Sequence, residues 1–286
     1  MSNAKPTTDS DHAYCMAEVR RHDPDRFLAA LFAPEVQRRD LIALYAFNLE
    51  VARTREAVSE PMLGEIRLQW WREAVGEIYD GAPRRHAVVQ PLAGAVGRGE
   101  LARADFDRLI DTRARDLRDD PPATLDDLLA YAEGTSATLL RLALGTLGGG
   151  DAARKAAGHV GVAWALTGLL RAVPFHARQR RVLLPADLLA AADVRCQALL
   201  DMKPPAALAE VIEPIARRAG EELTAARAMA RDVPRAALPA LLPARLIEPY
   251  LRRLERLGWD PFAGPVEIGR LGRLLRLTTG AARGRY

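Results

Sequence analysis

The chain has 286 residues, of which 49% are hydrophobic and 27% charged, which is enough apolar material for a substantial buried core. Its formal net charge is only +4, acids are interspersed with bases almost everywhere, and no long basic stripe interleaved with aromatics occurs, so the usual footprint of a nucleic-acid binder is excluded. The two cysteines, Cys15 and Cys196, form neither a CxxC pair nor a metal spacing; a disulfide framework or zinc site is not indicated, and a reducing compartment fits.

Alanine, leucine and arginine dominate while β-branched and aromatic residues are sparse, which predicts an all-α fold. Lysine occurs only at Lys5, Lys155 and Lys203, so the basicity is arginine, a residue that binds carboxylate and phosphate bidentately but that a compositional bias also enriches. Residues 1–12 are polar, lack the apolar run of a secretory signal and are expected to be a disordered tail. Beyond them Pro24, Pro34, Pro61, Pro83 and Pro91 punctuate segments of helical period. Helices are expected near 12–21, 24–32, 35–58, 62–80, 85–97, 101–117, 124–147, 151–172, 185–191, 205–230 and 243–257. Thr124-Leu-Asp-Asp127 has the form of a capping box, and Gly148-Gly-Gly150 reads as a helix stop. The longest stretch free of charged residues, Ala156 to Leu170, is shorter than the roughly 18 to 20 residues a spanning helix needs, so the chain is expected to be soluble or peripheral to a membrane. The basic C-terminal segment, 265–286, carries Arg270, Arg273, Arg276, Arg283 and Arg285, with Leu271, Leu274, Leu275 and Leu277 among them. It suits an anionic membrane or a partner, and reads foremost as a solvated packing helix with a frayed end.

Asp-Asp-x-x-Asp on a helix is a strong chemical signal, because it lines carboxylates along one face where Mg²⁺ can be held against a diphosphate. The segment Leu41-Ile-Ala-Leu-Tyr-Ala-Phe-Asn-Leu-Glu-Val-Ala-Arg-Thr-Arg-Glu56 resembles the first motif helix of the squalene/phytoene synthase family, roughly Tyr-Ala-x-Cys-Arg-x-x-Asp-Asp-x-x-Asp. Tyr45 and Ala46 match, Asn48 and Leu49 stand at the Cys-Arg pair, and the three aspartates fall on Ala52, Arg53 and Glu56. Arg67-Leu-Gln-Trp-Trp-Arg-Glu73 is similar to the family's Arg-Leu-x-x-Trp-Arg-Glu helix, and Phe106 to Leu117 and Tyr131 to Leu147 resemble later helices. His159 to Pro185 is similar to the second motif, Gln-Leu-Thr-Asn-x-x-Arg-Asp-Val-x-Glu-Asp followed by Gly-Arg-x-Tyr-Leu-Pro. Leu166, Thr167, Arg171, Val173, Arg181, Leu184 and Pro185 match, whereas Gly168 stands for the asparagine, Ala172 for the aspartate, and Phe175 and His176 for the Glu-Asp pair.

The resemblance, over about residues 14–260, implies a single-domain isoprenoid-synthase-type helical bundle around a central cavity, spanning 13–264. It is best with a degenerate branch that acts in assembly of respiratory complex I, through Ala43 to Glu50, Ile66 to Arg72 and Leu169 to His176. One surviving glutamate cannot hold a metal cluster, and Arg53 would repel a cation, so neither catalytic residues nor metal ligands are expected.

Other residues are read against plainer roles. Trp70 and Trp71 are expected to pack, and at most one to point into the core. His159 and His176 lack a second ligand at helical spacing, which disfavours a metal site. Asp116, Asp119 and Asp120 read as solvated surface and helix-end residues ahead of Pro121 and Pro122, and Asp126 and Asp127 as capping acids. Arg53, Arg72, Arg171, Arg178 and Arg181 are candidates for binding an anion or ligand without metal; the competing expectation pairs Arg53 with Glu56 or Glu73. The functional expectation is a non-catalytic protein, without cofactor, that assists complex I assembly through complex I subunits or assembly intermediates, a bound isoprenoid or anionic lipid, and peripheral membrane contact. It would be cytoplasmic, at the inner face of the inner membrane. The alternatives are an active prenyltransferase, with Mg²⁺ and with Glu56 and Asp116 replacing the missing acids, and an isoprenoid-binding module.

Overall fold

The computed structural model describes residues 8–58 and 60–286, and every regular element among them is helical. The first half holds α1 (Thr8–His22), α2 (Pro24–Ala30), α3 (Glu35–Ala52), α4 (Thr54–Ala57), α5 (Pro61–Tyr79), α6 (Val89–Arg98) and α7 (Arg103–Arg113), the last followed by a 3₁₀ turn. Then come α8 (Leu125–Ala132), a π-helical turn at Glu133–Ala137, α9 (Thr138–Leu147), α10 (Asp151–Arg171) and α11 (Val173–Arg178). The remainder is α12 (Ala186–Ala191), α13 (Cys196–Leu200), α14 (Leu208–Ala228), α15 (Leu238–Leu241), α16 (Ala244–Arg256) and α17 (Arg270–Arg283).

These elements form two compact units. One comprises residues up to Arg118 with Thr138–Arg154 and Val233–Leu241; the other comprises Asp119–Ala137, Lys155–Asp232 and Leu242–Tyr286. In the first unit α3 packs on α1, α6 and α9, and α5 on α7. Phe47 anchors that core, its ring edge-on to Trp71 and to Phe106, each at 5.3 Å between centroids. In the second unit Leu166 and Leu170 of α10, Ile212 and Ile215 of α14 and Leu254 of α16 share one apolar core.

Part of the expected N-terminal tail is structured. Residues 1–7 lie outside the described residues, but α1 begins at Thr8. Asp9 and Asp11 stand in its first turn and Arg20, Arg21 and His22 in its last, which complements the helix dipole. Cys15 and Val19, four apart, are fully buried, and Asp11, one turn earlier on the same face, pairs with Arg85 at 2.5 Å, so that face of the helix is tied down. The C-terminal segment also departs from expectation, since its end is not frayed. Gly284 closes α17 in the left-handed region at φ 65°, and the buried Tyr286 donates its hydroxyl to the Ala226 carbonyl at 3.0 Å.

The expected helix start at Thr124 and stop at Gly148 are in place. The Thr124 hydroxyl accepts from the Asp127 amide at 3.2 Å while Asp127 accepts from the Thr124 amide at 3.0 Å, and Gly148 has φ 71° just after α9.

Candidate functional site

In the first unit α3 is buried on every side from Asp40 to Asn48, and its last turn borders a cavity of about 270 Å³. Tyr14, Glu18, Glu50, Arg53, Glu56 and Arg67 supply the polar lining. The expected continuous helix over 35–58 breaks at Arg53, whose backbone (φ −95°, ψ 11°) separates α3 from α4, so Ala52 and Glu56 lie on different helices. Arg53 Nε lies 3.5 Å from Glu56 Oε2 and its Nη1 3.9 Å from Glu18 Oε2. Arg67 Nη2 bonds Glu50 Oε2 at 2.5 Å. Burial first, then the nearby carboxylates of Glu50 and Glu18, pushes the Tyr14 phenol above its ordinary value. Of the two partners expected for Arg53, Glu56 is one; Glu73 instead lies 3.6 Å from Arg84.

Arg72 lies elsewhere. Its Nε and Nη2 donate to Asp111 Oδ1 at 2.9 and 2.6 Å, in an open depression shared with Glu73, Glu77 and Arg84. Trp71 is fully buried, while Trp70 is half-buried under the Arg84 guanidinium at 4.9 Å. Asp116 departs from its expected solvated role: it is buried, with Arg113 Nη1 at 3.2 Å, whereas Asp119 and Asp120 are exposed.

In the second unit, α10 stops at Arg171 because Pro174 cannot donate to Leu170 and its ring would clash with that carbonyl. The break falls on Ala172 (φ −89°, ψ 0°), inside the second motif, with Val173–Arg178 as a separate short helix. A Cβ at Gly168 would meet nothing within 4 Å, so packing does not exclude a side chain where the family has asparagine. Phe175 is 48% exposed and stacks edge-on to the half-buried His176 at 5.8 Å. The Arg171 guanidinium lies 3.5 Å from the centre of the Tyr250 ring, and its Nε donates to the Val266 carbonyl at 3.1 Å. Arg171, Phe175 and Arg178 border a groove of about 450 Å³ with Met202, Phe262 and Glu267; Arg181 follows in the next turn, its amide bonded to the His176 carbonyl at 2.9 Å.

His159 has a partner that its own helix did not reveal. Its Nδ1 is 2.6 Å from Glu222, which also receives Arg218 at 2.6 Å and is itself buried. Glu18, Glu50 and Glu222 escaped sequence reasoning because they reach Arg53, Arg67 and His159, respectively, from other helices, with no local spacing to mark those pairs. Among the described residues no group of three or more His, Cys, Asp and Glu is placed to hold a metal ion. A Mg²⁺ cluster, which the family's chemistry requires, therefore does not fit the donors present: Glu56 is engaged by Arg53, and the second motif offers Gly168, Ala172, Phe175 and His176.

Comparison with known proteins gives the same framework. The family described as squalene/phytoene synthase matches residues 19–278. The chain is 34% identical over 258 residues to "NADH dehydrogenase (ubiquinone) complex I, assembly factor 6" of Mus musculus, covering 90% of this chain and 78% of that one. It is 27% identical over 259 residues to presqualene diphosphate synthase of Rhodopseudomonas palustris, covering 87% and 90%. A crystal structure of a dehydrosqualene synthase with ligand superposes with a TM-score of 0.83 at 16% identity, over 96% of this chain and 97% of the other.

Proposed function

The chain belongs to the squalene/phytoene synthase family, and from that premise we propose that it is a catalytically silent member that assists assembly of respiratory complex I, the NADH:quinone oxidoreductase. The observation that carries the first half is the ion pair at the first motif. Loss of diphosphate from an allylic carbon needs divalent cations to neutralise the developing charge. Here the one surviving carboxylate of that motif, Glu56, faces a guanidinium at 3.5 Å, and the second motif supplies no carboxylate at all. Asp116, the substitute an active enzyme would need, is taken up by Arg113.

The second half rests on 34% identity, over nine-tenths of the chain, to proteins named as complex I assembly factors. The protein acts at the inner face of the inner membrane, through contacts with complex I subunits or assembly intermediates or through a bound isoprenoid. The test is deletion of the gene with measurement of complex I content and NADH-driven quinone reduction. Both are expected to fall, and both are expected to return with a copy carrying Glu56→Ala. Unchanged levels in the deletion strain would overturn the assembly role. Separately, the pure protein with farnesyl or geranylgeranyl diphosphate and Mg²⁺ is expected to yield no condensed hydrocarbon; product that disappears in Glu56→Ala would overturn the silent assignment.

A further inference from the structure

Helix α17 turns its leucines the wrong way for a solvated surface helix. Leu271, Leu274 and Leu275 share one face by their three- and four-residue spacing and are 83%, 47% and 64% exposed. Thr278 and Ala282 continue the face, also exposed. The opposite side rests on α16: Leu277 and Gly280 are buried, and a Cβ at Gly280 would come within 3.1 Å of Arg245 Cγ of α16 and 2.8 Å of the Arg285 carbonyl. With the far end pinned by Tyr286, the helix is preformed and its leucine face is held outward.

Arginines border that face. Arg270 and Arg283 lie at its edges and are exposed, whereas Arg273 and Arg276 fall towards the packed side and are half-buried; no acidic side chain occurs from Arg270 to Tyr286. An outward apolar face edged by guanidiniums is the arrangement of a helix lying in the plane of a membrane surface, where leucines reach the acyl boundary and arginines reach headgroup phosphates. At 14 residues the helix is about 21 Å long. Among the described residues, no helix is long and apolar enough to cross a bilayer. Against a second copy of the same face, arginines would confront arginines with no carboxylate between them, whereas an anionic lipid surface complements them.

We propose that α17 is a membrane-docking element that binds an anionic lipid surface through Leu271, Leu274 and Leu275 with Arg270 and Arg283 at their flanks. This goes beyond the assembly role, and its failure would leave that reading standing. The test is co-sedimentation of the full chain with phosphatidylcholine vesicles, with and without phosphatidylglycerol. Binding to the anionic vesicles is expected to exceed binding to the neutral ones by at least about tenfold and to weaken as salt rises. Leu271→Asp with Leu275→Asp should abolish it, and Arg270→Gln with Arg283→Gln should reduce the anionic preference. Since all four residues are exposed, unchanged circular dichroism is expected. As an independent readout, Leu274→Trp should show a blue shift relative to the parent protein on adding anionic vesicles. No binding of the unaltered chain, or binding that survives the double aspartate variant, would overturn the proposal. A concentration-dependent dimer that the aspartates dissolve, without vesicle binding, would overturn it in favour of self-association.

Discussion

At Arg53 a guanidinium stands where the synthases place a carboxylate, and its partners Glu56 and Glu18 lie at 3.5 and 3.9 Å in a setting open to solvent. Pairs of this kind contribute under about 1 kcal/mol each, so Arg53→Ala should shift stability by less than that in a denaturant titration. Trp71→Ala, which empties the centre of the Phe47 cluster, should cost about 3 to 5 kcal/mol in the same experiment. The Cys15 thiol is pushed up to about 12, by burial first and by the carboxylate of Asp11 next. In the folded protein at pH 8 a thiol reagent should therefore modify the partly exposed Cys196 promptly and Cys15 only on unfolding; equal rates would contradict the burial described here. At this scale the absence of the motif acids was legible directly from Ala52, Arg53, Ala172, Phe175 and His176. The partners were not, because Glu222 reaches His159 across 63 residues and Glu18 reaches Arg53 from another helix.

Among the elements, the helices themselves were legible from leucine and alanine periodicity and from Thr124, Gly148 and the prolines. The interruptions were not. A run with helical pattern over 124–147 contains the π turn Glu133–Ala137, which holds Gly134 and in which the Thr135 hydroxyl donates to the Tyr131 carbonyl at 2.7 Å. Gly161 of α10 comes against that turn so closely that a Cβ would sit 2.3 Å from Ala137 Cα. Gly161→Val must displace backbone and should destabilise by about 3 kcal/mol or more, whereas Gly168→Asn, facing open space on the same helix, should cost less than about 1 kcal/mol. Thermal melts of the two variants side by side check the contrast. The break at Ala172 is different again, since Pro174 announces it, although the expected helix ended only one residue away.

Across the whole chain, buried phenols set the alkaline limit. Burial pushes Tyr79, with help from Asp105, and Tyr286 up to about 12, and raises fully buried Tyr45 as well. In the unfolded chain these groups ionise near their ordinary value of about 10, so the unfolded state releases protons first and stability is lost as pH rises from about 10 towards 12. The melting temperature should fall through that window, and less steeply in Tyr286→Phe. Fold class and family were readable because Arg67 to Glu73 and the second-motif frame are distinctive strings. The division into two compact units was not, because each unit is assembled from stretches far apart in the chain, with no linker between them.

The lining of the first-unit cavity has one more effect. Its fixed charges are the guanidiniums of Arg53 and Arg67 against the carboxylates of Glu18, Glu50 and Glu56, so it holds a small negative excess and exerts no long-range pull on a polyanion. Inorganic pyrophosphate should consequently leave the melting temperature where it was. A molecule that lodges there meets a mostly polar lining whose charges nearly cancel, so its rate of entry should be indifferent to ionic strength.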